Sequence, residues 1–489
     1  GYGLSGDGFH ETSPDPMGSG VGRAMGGAIL DAGLAAESIG YVNAHGSGTM
    51  ANDPAEWRGT CKAMGDHAAT IPVSSLKGTI GHAQGAAGVL EAIATIFGIC
   101  NQVVVPTLNC VNPRPHGPPD PVGEQSPRPH DYEHAISSNS AFGGCNAAIV
   151  LGNSPRPWVP VAARAVYILG CGAIGPFGVG HADLSTAVQK GKPLRGPAAE
   201  MTLSELVPSA DPRGMDPTGH FLTGAAALAL KDAGTRVMGD LREHAGLLVG
   251  AVHPSPASVA SIADSIRVRG LTRHNPTAFA RIVLNAAGGE CSKLLALRGP
   301  NATVTTGAGS GLTALVSAAG LVARRADTDL IVAGGVDEVP PLNWNRSDSG
   351  AGTEGAACIV LGNRNFGNEE KWAVPLAGYS LGPPGVPSVA MARAMEIAGT
   401  SWADIDAVFV VGDQAPWGDM PSLAESPATV HDLTKILSTA PAAGSLWAVI
   451  EAVTAIRGGG ANRVLVVSQE GRSVSSALVL GPLEVLDGF

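Results

Sequence analysis

Two histidines and a lysine carry the first chemical signal in this chain. Residues 74–91 read Ser-Ser-Leu-Lys-Gly-Thr-Ile-Gly-His-Ala-Gln-Gly-Ala-Ala-Gly-Val-Leu-Glu, with Lys77 and His82 five positions apart. The pattern predicts a short strand, a sharp turn carrying both side chains, and a Gly/Ala-rich helix. Small residues let a backbone or ligand approach the turn closely. A helix start adds unpaired N–H groups and partial positive charge, suited to a developing anion. Taken alone, the stretch also fits a solvated turn ahead of a tightly packed helix.

Two further stretches must position partners for this turn. Upstream, 40–56 is an apolar strand running into His45 and a Gly-Ser-Gly-Thr loop with Ser47 and Thr49, then a helix reaching Glu56. Downstream, 137–144 reads Ser-Ser-Asn-Ser-Ala-Phe-Gly-Gly, placing Phe142 in a third Gly-rich loop before the apolar strand 147–151. Strand-end loops of this kind can converge on one cleft.

Together these motifs resemble the C-terminal half of a β-ketoacyl synthase of the thiolase-like superfamily. That family carries His-Gly-Thr-Gly-Thr, Lys-x-x-x-Gly-His with a Gly-Ala-Ala-Gly helix, and a Phe-Gly-Gly loop. From His45 the separations are 32 residues to Lys77, 37 to His82 and 97 to Phe142, as expected for the family. The resemblance implies an α/β, five-layered α-β-α-β-α thiolase-like fold and decarboxylative Claisen condensation of acyl and malonyl groups on an acyl carrier protein. His45 and His82 would donate neutral imidazole N–H groups to the enolate. Lys77, paired with Glu91 or Glu56, would fix the field and orient His82. The Phe142 backbone N–H would form part of an oxyanion hole and its ring a gate. Ser47, where the family more often has Thr, and Thr49 would bind the phosphopantetheine arm of the carrier. No bound cofactor or metal is implied. The family's nucleophilic cysteine lies in an N-terminal half expected upstream of Gly1. Cys145, beside the Phe-Gly-Gly loop, lacks the strand–nucleophile–helix context of that cysteine.

From residue 164 the pattern restarts. Residues 165–180 form an apolar run ending in a Gly/Pro loop, without the G-x-G-x-x-G spacing of a dinucleotide site. Residues 299–312, Gly-Pro-Asn-Ala-Thr-Val-Thr-Thr-Gly-Ala-Gly-Ser-Gly-Leu, and 329–338, Asp-Leu-Ile-Val-Ala-Gly-Gly-Val-Asp-Glu, resemble the family's N-terminal half. Ala308 stands at the nucleophile position, and an alanine methyl cannot form a thioester. Residues 412–416 lack the His-Gly-x-Gly-Thr motif, Ser438 falls at the counterpart of His82, and 464–480 lacks Phe-Gly-Gly. The expectation is therefore 1–155 as an active C-terminal half, 156–164 as a Pro-rich linker, and 165–345 with 346–489 as the two halves of an inactive, chain-length-factor-like copy.

Composition narrows the classes further. At 489 residues and 44% hydrophobic content the chain can bury large cores and hold two or three domains. A net charge of −11 argues against a nucleic-acid binder as a whole. The seven cysteines include no C-x-x-C pair and predict reduced thiols in a cytoplasmic protein without structural zinc. No unbroken apolar run reaches about 18 residues, so no membrane span is expected. Expected partners are an acyl carrier protein, the missing ketosynthase half and a ketosynthase–chain-length-factor pseudo-dimer that can oligomerise further. Two alternatives remain: a non-catalytic carrier-binding scaffold, and a thiolase-type acyl-CoA enzyme, which would carry a second catalytic cysteine where these motifs have His82 and Phe142.

Overall fold

The computed structural model describes residues 1–155, 162–211, 214–273, 275–339, 352–364, 373–412, 428–437, 440–469 and 474–482. The chain divides into two compact units, Gly1–Val161 with Arg298–Asn301, and Ala162–Leu297 with Ala302–Phe489. Most of the linker expected at 156–164 lies outside the described residues, as do 413–416 and Ser438.

Among its described residues the first unit holds strands β1 (Tyr2–Gly6), β2 (Ile39–Asn43), β3 (Val73–Ser74), β4 (Val103–Val104), β5 (Arg128–Pro129), β6 (His134–Ala141) and β7 (Cys145–Gly152). Five build one mixed sheet in the order β1-β7-β6-β2-β3, while β4 and β5 pair apart. β7 is antiparallel to both β1 and β6, and β2 is parallel to β6 and β3. The helix Ser19–Asp31 covers one face, against β1 and β7, and the helix Ala87–Asn101 covers the other, against β6 and β7. This unit therefore has three layers, α-β-α.

The second unit repeats that order twice. Its first half holds β8 (Tyr167–Gly175), β9 (Gly178–Val179), β10 (Ala245–Ala251), β11 (Asn301–Val304), β12 (Leu330–Asp337) and β13 (Gly355–Gly362). Its second half holds β14 (Val374–Gly382), β15 (Ala407–Gly412), β16 (Thr429–Asp432), β17 (Val464–Gln469) and β18 (Ser475–Leu480). The path runs β11-β10-β12-β13-β8, then β14-β18-β17-β15-β16, joined where Val374 and Pro375 pair with Ile168 and Tyr167. β14–β18 reproduces the order and the strand directions of the first unit's sheet. The strands β10, β12 and β13 are buried along their whole length, hence their unbroken apolar, small-residue sequences.

Helix Pro217–Asp232 covers the first half-sheet and Pro387–Ala398 the second, while Ser310–Arg324 and Ala443–Arg457 pack on each other and on both half-sheets. The five-layered α-β-α-β-α arrangement is thus complete within the second unit. Close helix–strand approach recurs in all three half-units. A methyl group on Gly3 would lie 2.0 Å from the Ala24 carbonyl oxygen, on Gly172 2.1 Å from that of Ala225, and on Gly378 1.9 Å from that of Ala394. Any side chain at these strand positions would lift the covering helix off its sheet.

In the second unit's helix Ala443–Arg457, Leu446, Trp447, Val449 and Ile450 have no solvent exposure. Its counterpart in the first unit differs. Helix Ala87–Asn101 buries only Ala87, Glu91, Thr95, Gly98 and Ile99, while Val89 is 65% and Phe97 63% exposed, beside exposed Leu90, Ile93 and Ile96. The helical stretch Gln84–Asn101 is also long and apolar enough to cross a membrane, contrary to expectation. Its sole charged side chain, Glu91, is buried against the sheet and ion-paired with Lys77, which ties the helix into this α/β layer. None of the seven cysteines forms a disulfide.

Candidate functional site

The site is assembled from three strand ends of the first unit. β2 stops at Asn43, whose side-chain amide donates to the Glu91 carbonyl oxygen and to Thr95 Oγ1, both at 3.0 Å. This staples the strand to helix Ala87–Asn101 just before the chain reaches His45.

His45 is buried, 6% exposed, and its backbone is held by Glu56. The Glu56 carboxylate accepts the N–H of His45 at 2.7 Å and of Gly46 at 2.8 Å, the Ser138 hydroxyl at 2.8 Å and the Asn52 amide at 3.2 Å. Gly46 takes φ 45°, and a methyl there would sit 2.4 Å from Ser75 Cβ, so only glycine fits this turn. Ser75 Oγ closes it by donating to the Gly46 carbonyl oxygen at 3.0 Å.

Lys77 begins the short helix Lys77–Ile80. Its ammonium donates to the His45 carbonyl oxygen and forms an ion pair with Glu91, both side chains being buried. The choice left open by sequence, Glu56 or Glu91, therefore falls to Glu91, and Lys77 grips the His45 backbone rather than the His82 ring. Burial pushes the Glu91 carboxyl up, opposed by the bonds from Lys77 and Asn139.

His82 lies in the exposed loop after that helix. Its Nδ1 accepts the Gln84 N–H at 3.2 Å, so the neutral ring carries its proton on Nε2. The His45 and His82 rings stand edge to face, with centroids 5.4 Å apart and planes at 78°. Burial, then the nearby Lys77 charge, holds His82 below the usual imidazole range. His45 is also lowered, chiefly by burial; Lys77 adds to the effect and Glu56 opposes it. Burial and the Lys77 charge lower both rings, the buried His45 and the more exposed His82 alike in direction.

Phe142 opens the turn Phe142–Gly144 at the end of β6, its ring 40% exposed. Gly143 takes φ 76° and donates its N–H to the Glu11 carbonyl oxygen at 2.6 Å. Asp7 supports the loop: its N–H donates to the Gly144 carbonyl oxygen at 2.8 Å, and its carboxylate accepts the Asn146 amide at 2.8 Å. Ser47 is half-buried and Thr49 exposed, their hydroxyls 3.4 Å apart. Thr49 Oγ1 accepts the Asn52 N–H at 3.0 Å, just ahead of helix Asn52–Met64.

Sequence reasoning missed Asn139, Ser138, Ser75 and Asp7. Asn139 lies inside the 137–144 motif, between β6 residues that are buried and the exposed Phe142, and only its polarity marked it. Its side chain reaches both Glu91 and His45.

In the second unit, Ala308 sits half-buried between Gly307 and Gly309, both at φ 82°, at the turn into helix Ser310–Arg324. This is a sharp strand–turn–helix junction of the kind that presents a nucleophile, with a methyl group at its tip. The second unit's counterparts of the histidine loops fall largely at 413–427, 438–439 and 470–473, outside the described residues.

The family "Beta-ketoacyl synthase, C-terminal domain" matches residues 1–111, and "Beta-ketoacyl synthase, N-terminal domain" matches residues 198–351. The chain is 42% identical over 151 residues to 3-oxoacyl-(acyl-carrier-protein) synthase 2 of Vibrio cholerae, covering 31% of this chain and 36% of that protein. It is 42% identical over 149 residues to the enzyme of the same name from Synechocystis, covering 30% and 36%. The chain thus spans about a third of the length of these relatives. Among solved structures, the PfaC keto synthase–chain length factor superposes with a TM-score of 0.71 at 17% identity, over 99% of this chain and 62% of that one. A type II polyketide ketosynthase in complex with its acyl carrier protein superposes with a TM-score of 0.57 at 17% identity, over 65% of this chain and 99% of that one. These structural likenesses speak for the fold. With the two family matches, the paired histidines and the thrice-used sheet order in hand, the chain belongs to the β-ketoacyl synthases of the thiolase-like superfamily.

Proposed function

We propose that this chain is part of a ketosynthase–chain-length-factor condensing enzyme of polyketide or polyunsaturated fatty acid assembly, acting on acyl and malonyl groups borne by an acyl carrier protein. In this reading 1–155 is the C-terminal half of the catalytic domain, and 165–345 with 346–489 form an inactive partner in which Ala308 replaces the nucleophile. The observation that carries it is the edge-to-face pair His45–His82, 5.4 Å apart, both rings held neutral beside the Lys77–Glu91 ion pair.

The chemistry follows from charge. Loss of CO2 from malonyl leaves an enolate, whose oxygen needs donors fixed before the charge appears. His82 offers its Nε2–H, while the Lys77 ammonium supplies a positive field through His45. Phe142 contributes its backbone N–H to the thioester oxyanion and its half-exposed ring to the entrance. The Ser47 and Thr49 hydroxyls meet the phosphopantetheine arm at the exposed rim.

The apolar face of helix Ala87–Asn101 supports the need for a further half carrying the cysteine. Its counterpart Ala443–Arg457 buries the equivalent face against Ser310–Arg324, the helix that follows Ala308. A ketosynthase N-terminal half would bring the same kind of helix, with a cysteine at its start.

The test is reconstitution. Acyl and malonyl carrier proteins mixed with this chain and a cysteine-bearing N-terminal half should yield the condensed β-ketoacyl product, and the chain without that half should yield none. Product from the chain without it overturns the role assignment. Carrier binding without product in the reconstituted pair would replace the reading with a non-catalytic scaffold.

A further inference from the structure

We infer that Asn139 is a positioning residue that sets the tautomer of His45, making it the acceptor and His82 the donor of the pair. The inference rests on the condensation reading for its consequence, but its premises are geometric. Asn139 Nδ2 lies 2.8 Å from Glu91 Oε2. A carboxylate bound to the Lys77 ammonium can only accept, so the Asn139 amide must turn its NH2 group toward it. That leaves Asn139 Oδ1, an acceptor, facing His45 Nδ1 at 3.3 Å. A neutral imidazole has one N–H, and this contact puts it on Nδ1. Nε2 of His45 then carries a lone pair.

At His82 the same logic gives the opposite result. A backbone N–H cannot accept, so the Gln84 N–H at 3.2 Å from His82 Nδ1 keeps that nitrogen unprotonated and sends the proton to Nε2. Two histidines that look equivalent in sequence are thus held in complementary states by neighbours of opposite hydrogen-bonding character. The charged and titratable groups around His45 are Glu56, Lys77, Glu91 and His82. Of these, Glu56 holds the backbone of His45 and Lys77 its carbonyl oxygen. Asn139 hydrogen-bonds the ring itself.

The consequence concerns the reaction. An enolate oxygen takes its imidazole hydrogen bond from His82, while His45 Nε2 stands ready to accept one, from a thiol or a water in the same pocket. Lys77, Glu91 and Asn139 form a relay from a fixed cation to that lone pair: the ion pair orients the carboxylate, the carboxylate orients the amide, and the amide orients the proton.

The test reads the proton directly. Long-range 1H–15N spectra of the 15N-histidine-labelled full chain, with His45→Gln and His82→Gln to identify the signals, should show His45 protonated at Nδ1 and bare at Nε2, with His82 reversed. Asn139→Leu removes the acceptor at similar volume. It should abolish the Nδ1–H form of His45 as the dominant species and leave His82 unchanged. Asn139→Asp keeps an acceptor and should retain Nδ1–H. Finding His45 protonated at Nε2 in the unmodified chain, or unaltered in Asn139→Leu, overturns the inference. Should Asn139→Leu fail to fold, the unmodified spectrum and Asn139→Asp decide it. None of these spectra needs turnover, so a failed reconstitution would remove the condensation reading and leave the tautomer measurement standing.

Discussion

Glu56 and His45 are joined through the backbone: one carboxylate oxygen lies 2.7 Å from the His45 nitrogen and the other 2.8 Å from that of Gly46. The carboxylate therefore fixes where the imidazole is anchored, while the ring's own bond goes to Asn139. Glu56→Gln replaces one acceptor oxygen with an NH2 group that must face a donor. Leaving a buried donor unsatisfied costs about 1–3 kcal/mol. Urea unfolding should show a loss of that order, and the reconstituted enzyme should lose turnover more than carrier affinity. Unchanged stability would mean that the His45 loop holds itself.

Lys77→Met should act on both histidines at once. The Lys77 charge lowers each ring, so its removal should raise both imidazole pKa values, and the unpaired Glu91 adds to the rise. Because both folded values are depressed, these rings contribute stability above the ordinary imidazole range, and it is lost as pH falls through the depressed values. The variant should narrow that loss. It also strands Glu91 among buried groups, a change that typically costs about 3–5 kcal/mol. An NMR titration of the histidine signals checks the direction, and a fall in either value contradicts it.

Charged substitutions on the open helix face should separate folding from assembly. Val89→Asp and Phe97→Asp sit where the side chains meet solvent, so the chain's own stability should change by about 0.5 kcal/mol or less. Association with the cysteine-bearing half should weaken severely, as sedimentation of the mixture would reveal. Association at full strength would take this helix out of the interface.

In the second unit, Asp337 accepts the N–H groups of Ala442 and Ala443 at 3.0 and 2.8 Å at the start of helix Ala443–Arg457. Burial pushes its carboxyl up to about 7. A raised carboxyl favours folding while protonated, so its contribution is full below the ordinary value near 4 and lost as pH rises through about 7. Stability measured between those limits should fall by a few kcal/mol from this group, since each tenfold difference in proton affinity between the folded and unfolded chain is worth about 1.4 kcal/mol. Asp337→Asn should flatten the slope, and an unaltered slope would assign it to other groups.

The parts of the fold legible in sequence were those written in small residues and apolar runs. The buried strand β8 announces itself as the apolar run at 165–180, and the Gly/Ala-rich helix after His82 by its small residues. At the site, His45, Lys77 and His82 were marked by residue type at a characteristic spacing, and the structure brings them together. Which carboxylate meets Lys77 was not legible, since Glu56 and Glu91 are both buried glutamates on helices and differ only in where their helices run. Asn139 was overlooked for a related reason. An asparagine on a strand has many structural uses, and its role here arises from bonding a carboxylate and an imidazole at once. The exposed face of Ala87–Asn101 was invisible too, because an apolar helix reads the same whether or not anything covers it.

One five-strand order serves three half-units, and this places the burden of mutual recognition on side-chain volume. A shared backbone plan would let any central helix lie against any other, so fidelity must come from contour. The bulky Trp447 is locked in place, its indole N–H donating to the Ala356 carbonyl oxygen at 3.3 Å, whereas the helix bearing Val89 and Phe97 presents a different relief. Exchanging those contours between the two helices would be expected to mispack the core around Trp447, a hazard that duplicated architectures avoid by letting their copies diverge.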